Sequence, residues 1–341
     1  MAEFLFSYGL FIAKVITGLI ALAFAVAIVA GGRKKEEPSR LKITNLNAKF
    51  DELTSTVKQA LFDKKELKQQ EKELAKKAKL DKKNTNNKKP KPRLFVLNFD
   101  GDIKASEVET LRQEITAMLS VANPEDEVFL QLDNSGGMVH EHGLAASQLQ
   151  RIKDARLKFT VGIDRVAASG GYMMACVADR IVAAPFAIIG SIGVLAQLPN
   201  FNRLLEKAGI DFEQHTAGEY KRTVTMFGKN SEKEREKLKT ELQETHDLFR
   251  GFVSEHRPKL DIDKVSTGEH WYGQQALELN LVDELKTSDE YLVDCMDIYD
   301  VYELKMEIKQ SMQDKLMGGL FSSLSKLKDG VSNIREANSF R

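Results

Sequence analysis

The chain has 341 residues, 42% hydrophobic and 29% charged, which suits one or two globular domains with a substantial core and excludes a disordered or fibrous polymer. The formal net charge of zero hides a segregation: Arg33–Arg93 holds 20 Lys/Arg against 9 Asp/Glu, so this segment is +11 and the remainder −11. The 2 cysteines give neither a disulfide framework nor a metal-ligand spacing, and Cys176, in the apolar run Met173–Val177, reads as a buried, inert thiol.

Tyr8–Ala30 is apolar apart from Lys14 and Thr17. As a helix it reaches roughly 34 Å, enough to cross a bilayer. The expectation is a retained single-pass anchor at about residues 8–30, within an N-terminal segment 1–32. A cleaved signal peptide would need an apolar core of only about 7–15 residues; Ala27-Ile28-Val29-Ala30 keeps that option open, whereas Gly31-Gly32 does not resemble a cleavage site. Lys14 can snorkel to the near interface. Arg33, Lys34, Lys35, Arg40 and Lys42 follow the span, and the first eight residues carry only Glu3, so the positive-inside rule keeps the remainder in the cytoplasm.

Residues 33–92 read as a basic spacer. Leu41–Leu80 predicts a charged helix with Leu53, Val57, Leu61, Leu67 and Leu74 as a thin apolar stripe, and Asp81–Pro92 predicts a flexible linker. Its lysines suit anionic lipid or simply solvent; no nucleic-acid-binding motif accompanies them, so nucleic acid is not expected as a partner.

From residue 93 to about 310 short apolar strands alternate with helices. Strands are predicted at Leu94–Phe99, Val128–Leu132, Phe159–Ile163, Arg180–Ala184 and Asp211–Gln214. A helix with a capping box opens at Ser106–Glu109, another runs from Val139 to about Ala155, and a third from Ser231 to about His256. This order implies an α/β domain with a largely parallel sheet covered by helices. The long third helix suits a lid, subunit packing or the core. Residues 311–341 form an amphipathic tail, with Met312, Leu316, Leu320, Phe321, Leu324, Leu327 and Val331 apolar.

Chemistry concentrates at two glycine-rich turns after strands. Ser169 stands in Val166-Ala167-Ala168-Ser169-Gly170-Gly171-Tyr172, downstream of Asp133-Asn134-Ser135-Gly136-Gly137. A serine between small residues can present its hydroxyl on a tight turn, and a glycine turn can aim a bare N–H at the same point, the parts of a nucleophile and an oxyanion hole. Ordinary structural turns would look the same one at a time. The serine needs a base. His140 and His142 are candidates from a weak His-x-His pattern; His215, His246, His256 and His270 lack an evident carboxylate partner. Lys221, in Thr216–Arg222, is the other type of base, provided apolar surroundings hold it neutral.

Four ordered runs, Asp133–Gly137, Ala168–Tyr172, Gly190-Ser191-Ile192-Gly193-Val194 and Gly218-Glu219-Tyr220-Lys221, resemble the signal peptide peptidase A family of serine peptidases. Gly273–Asp283 matches that family's closing helix-and-strand signature, and the resemblance covers essentially the whole chain. It implies a Clp-protease/crotonase-like fold and a Ser/Lys dyad, with Ser169 as nucleophile, Lys221 as general base and Ser191 orienting the lysine. The backbone N–H groups of Gly136 and Gly170 would form the oxyanion hole. It implies no metal or cofactor, peptide substrates such as signal-peptide or membrane-derived segments, and a homo-oligomeric ring whose sites are shared between subunits. It places the enzyme at the bacterial inner membrane facing the periplasm, against the juxtamembrane charge. Many relatives have proline where this chain has Ser135, a change expected to alter turn rigidity rather than chemistry. Rival readings are a non-catalytic membrane scaffold and a crotonase-like acyl-CoA enzyme.

Overall fold

Arg93–Gly101 (β2) and Glu127–Asn134 (β3) are apolar almost without interruption, the pattern of strands covered on both faces. In the computed structural model they sit at the centre of a sheet. The structure describes residues 2–31, 40–63, 65–66, 72 and 91–307. Two units separate, one of residues 1–40 with 307–341 and one of residues 41–306.

In the first unit, Ala2–Gly31 is a single 30-residue helix. Its described side chains, residue 4 and residues 6–20, are all exposed; those of 21–31 lie outside the described residues. Among the described residues no helix is long and apolar enough to cross a membrane, so the expected transmembrane span at 8–30 is unsupported at this level. The tail at 311–341 and most of the linker at 81–92 lie outside the described residues.

The second unit is mixed α/β. The remaining strands are Arg40–Asn45 (β1), Lys158–Ile163 (β4), Val166–Ala168 (β5), Arg180–Ala183 (β6), Ile188–Gly190 (β7), His270–Tyr272 (β8), Glu284–Leu285 (β9) and Asp300–Glu307 (β10). The main sheet runs β1-β10-β2-β3-β4-β6-β9, with a branch from β3 through β5 and β7 to β8. From β10 to β9 each pairing is parallel, and β7 with β8 is antiparallel. Strand alternation divides the core. Phe95, Leu97 and Phe99 of β2 face one cluster with the helices Val108–Leu119 and Val139–Asp154. Leu94 and Val96 face a second, with Leu46, Tyr291 and Tyr299.

Three local expectations are corrected. Arg40–Asn45 is a strand, so the charged helix starts only at Leu46; its first stretch ends at Leu61, and residues 65–66 and 72 are helical again. Leu53, Val57 and Leu61 are exposed. The Val108–Leu119 helix has no side-chain cap, because Ser106 Oγ donates to Asp102 at 2.8 Å and Glu107 Oε2 accepts the Asp100 N–H at 2.8 Å. Asp211–Gln214 forms no strand; in the stretch 195–228 the one regular element is the short Asn202–Lys207 helix. The long helix Glu232–His256 does begin with a capping box, Ser231 with Glu234.

Candidate active site

Three strand ends converge because the register makes them do so. Asn134 of β3 pairs with Ala167 of β5, and Ala168 of β5 with Gly190 of β7. The chain leaving these strands carries the Ser135–Gly137 turn, Ser169 and Ser191. Ser169 has φ 53° and ψ −119°, a conformation non-glycine residues hold at a cost of roughly 1–3 kcal/mol. It caps the Gly170–Ala175 helix, and its N–H donates to the Gly190 carbonyl at 2.7 Å while its own carbonyl accepts from Met173 at 3.0 Å. A strained strand-to-helix turn of this kind lifts a serine hydroxyl out of the backbone.

The glycine turn lies directly against it. A Cβ on Gly136 would stand 2.7 Å from Ser169 Cβ and 2.9 Å from Gly170 N, and Gly136 has φ +88°, so no other residue fits. The Gly136 N–H, however, is already committed, donating to Asn134 Oδ1 at 2.8 Å. The next amide, that of Gly137, has no hydrogen-bond partner among the described residues. Gly137, and not Gly136, lines the small cavity at Ser169, together with Gly170, Val139, Met173, Val194 and Phe249. Ile103 closes the back of this turn: its carbonyl accepts the Met138 N–H at 2.9 Å and would lie 2.1 Å from any Gly137 Cβ. The Gly170 amide, at the first position of its helix, has no intrahelical acceptor.

The two histidines considered as bases are otherwise engaged. His142 is fully buried, with Nδ1 2.9 Å from the Met138 carbonyl and Nε2 3.2 Å from Asn134 Oδ1. His140 is on the surface beside Glu141. Lys221 is exposed, in a separate cleft with Phe212, His215, Arg222 and Phe227 that shares no residue with the Ser169 cavity. Its ammonium makes no ion pair among the described residues, whereas the neighbouring Glu219 is taken by Lys233 at 2.6 Å. Ser191 also has a positive φ of 51°, and its N–H donates to the Glu269 carbonyl at 2.7 Å. Within one chain, then, Ser169, Ser191, Gly136 and Gly170 come together and Lys221 does not join them. Sequence reading assigned nothing to Gly137 and Phe249, which line the cavity, or to Asn134, which holds the Gly136 amide; the position of Asn134 at the last place of an apolar strand was the available signal.

Cys176 is buried, and desolvation pushes its thiol well up, which keeps it inert. Among the described residues no group of His, Cys, Asp and Glu could hold a metal ion.

Two family models match in tandem, Peptidase family S49 N-terminal over residues 3–149 and Peptidase family S49 over residues 151–301. A relative from Haemophilus influenzae, named Probable protease SohB, is 48% identical over 324 residues, 92% of each chain. This chain belongs to peptidase family S49. A second S49 relative with the same printed name, from Buchnera aphidicola of Acyrthosiphon pisum, is 49% identical over 325 residues, 94% of this chain and 96% of its own. A third, from Methanocaldococcus jannaschii and named Putative protease MJ0651, is 34% identical over 170 residues, 48% of this chain and 53% of its own. The S49 assignment makes this chain a peptidase, and the junction between the two models falls between the glycine turn and Ser169.

Proposed function

We propose that this S49 chain is a membrane-anchored serine endopeptidase that works through Ser169 and a Lys221 supplied by a second copy of the chain. The observation that carries the reading is Ser169 on a strained turn with two uncommitted amides, Gly137 and Gly170, beside it. Ser169 Oγ attacks the peptide carbonyl carbon as its proton passes to Lys221 Nζ. The carbonyl oxygen gains the negative charge and is held by the Gly137 and Gly170 N–H groups. The C–N bond then breaks, the lysine returns the proton to the leaving amine, and water releases the acyl group by the same route. Gly137 takes the place first assigned to Gly136, whose N–H is spent on Asn134. Ser191, held beside the Ser169 strand, orients the lysine.

A second copy is invoked because Lys221 stands on an uncovered face. Leu195, Leu204, Ile210, Tyr220 and Phe227 on the same stretch are large, apolar and exposed, a surface suited to closing a ring of identical subunits. Extended peptides, including signal-peptide or membrane-derived segments, are the proposed substrates. Residues 8–30 would tether the enzyme to the bacterial inner membrane with its catalytic unit on the periplasmic side. No metal or cofactor enters the mechanism.

Complementation tests this. Ser169→Ala and Lys221→Ala proteins should each fail to cleave a fluorogenic peptide, and co-assembled one to one they should recover roughly a quarter of wild-type activity, the fraction of junctions with both groups intact. Activity in neither the mixture nor the wild type would overturn the reading; a wild type that is active with no recovery on mixing would place both groups in one chain.

A further inference from the structure

We propose that Asn134 and His142 are a positioning pair that sets the Gly137 and Gly170 amides at Ser169. The inference rests on the serine peptidase reading above. Asn134 is 1% exposed, and its Oδ1 accepts the Gly136 N–H at 2.8 Å and lies 3.2 Å from His142 Nε2. The first contact commits the Gly136 amide and leaves that of Gly137, which lines the cavity, without a partner among the described residues. The second ties the asparagine to a buried ring that rests on the other donor: a Cβ on Gly170 would stand 2.4 Å from His142 Cγ. One asparagine oxygen therefore links the two halves of the oxyanion hole.

The surrounding glycines fit around this pair. A Cβ on Gly101 would meet Asn134 Cγ at 2.4 Å, and one on Gly171 would meet the Asn134 carbonyl at 2.1 Å. Gly101 and Gly170 thus leave room for the two polar side chains, and Gly171 for the Asn134 backbone. The His142 ring is fixed at its other end by the Met138 carbonyl at 2.9 Å, on the turn that carries Gly137. Both atoms facing the ring are acceptors, the Met138 carbonyl at Nδ1 and Asn134 Oδ1 at Nε2.

The test uses the full-length, assembled protein, a fluorophosphonate probe and a fluorogenic peptide. The probe forms an Oγ–P bond on Ser169 with loss of fluoride, and its phosphoryl oxygen needs the same amides. Asn134→Ala should lower both kcat and the rate of phosphonylation by about 10²-fold, with KM within about 3-fold. Asn134→Asp, which keeps the acceptor, should restore both rates to within about 5-fold of wild type. His142→Leu should fall in the same way and His142→Gln, which retains a donor, should recover; this pair decides the matter if Asn134→Ala does not fold. Wild-type rates in Asn134→Ala and His142→Leu would overturn the proposal, as would equal losses in each variant and its conservative counterpart. An unlabelled, folded wild type would sink the serine reading itself, and a labelled wild type with unaffected variants would sink the positioning pair alone.

Discussion

The amide of Ser169 donates to the carbonyl of Gly190 at 2.7 Å, so the Ser169 turn hangs from the end of β7. Gly190 has φ +104°, and a Cβ there would lie 2.8 Å from the Trp271 ring. Gly190→Ala is expected to cost roughly 1–3 kcal/mol in stability and to lower peptidase activity by at least about tenfold through displacement of Ser169. Thermal unfolding and kcat measured together check this; full activity with a normal melting temperature would show that the strand end does not set the serine.

Glu114 gives a pH dependence with a definite sign. Burial raises its carboxyl from 4.5 to about 7, and Oε1 accepts the Met306 N–H at 2.7 Å. The folded state binds this proton more tightly than the unfolded chain, so the group's contribution falls as pH rises from about 4.5 to 7 and is flat above. Glu114→Gln keeps an acceptor without the charge. It should be more stable than wild type by about 1–3 kcal/mol at pH 8, with the difference vanishing near pH 4. Denaturant titrations at both pH values read this directly; a pH-independent difference would contradict it.

Arg257 closes the long helix onto the closing motif. Its two terminal nitrogens each meet Asp283 at 2.8 Å, one also donates to the Asn280 carbonyl at 3.0 Å, and Asp283 accepts the Ile181 N–H at 2.7 Å. Arg257→Ala leaves that carboxylate without its cation and should destabilise by about 2–4 kcal/mol. Arg257→Lys cannot reproduce the fork and should recover only part of the loss. Equal stability of all three proteins in urea would refute the assignment.

On the opposite face of the sheet, buried Glu127 accepts from Tyr291 and from Tyr299, the latter at 2.8 Å, and from Thr160 at 3.1 Å. Tyr299→Phe removes one donor from a buried carboxylate and should cost about 1–2 kcal/mol without altering peptidase activity. A parallel loss of activity would connect this cluster to the site in a way its location does not suggest.

Much of the architecture was legible because apolar runs bounded by glycine turns mark buried strands. The expected strand at Phe159–Ile163 is Lys158–Ile163, and the expected helix from Val139 closes at Asp154. Arg40–Asn45 was not legible: its sequence Arg-Leu-Lys-Ile-Thr-Asn is too polar to announce a strand, and pairing with β10 supplies what composition lacks. At the site, the two turns were visible as motifs, but which of Gly136 and Gly137 has its N–H taken within the chain was not. The Gly136 N–H is held by the Asn134 side chain, a contact no spacing rule encodes. The exposed place of Lys221 was equally hidden, since it depends on the course of residues 195–228, where regular structure is sparse.

The most direct test of the central claim is mass spectrometry of the assembled protein after a fluorophosphonate probe, with wild type beside Ser169→Ala and Lys221→Ala. The account predicts a single adduct on Ser169 in the wild type and none in either folded variant. An adduct that persists on Ser169 in Lys221→Ala would contradict the dyad, and a folded, assembled wild type without any adduct would contradict the nucleophile.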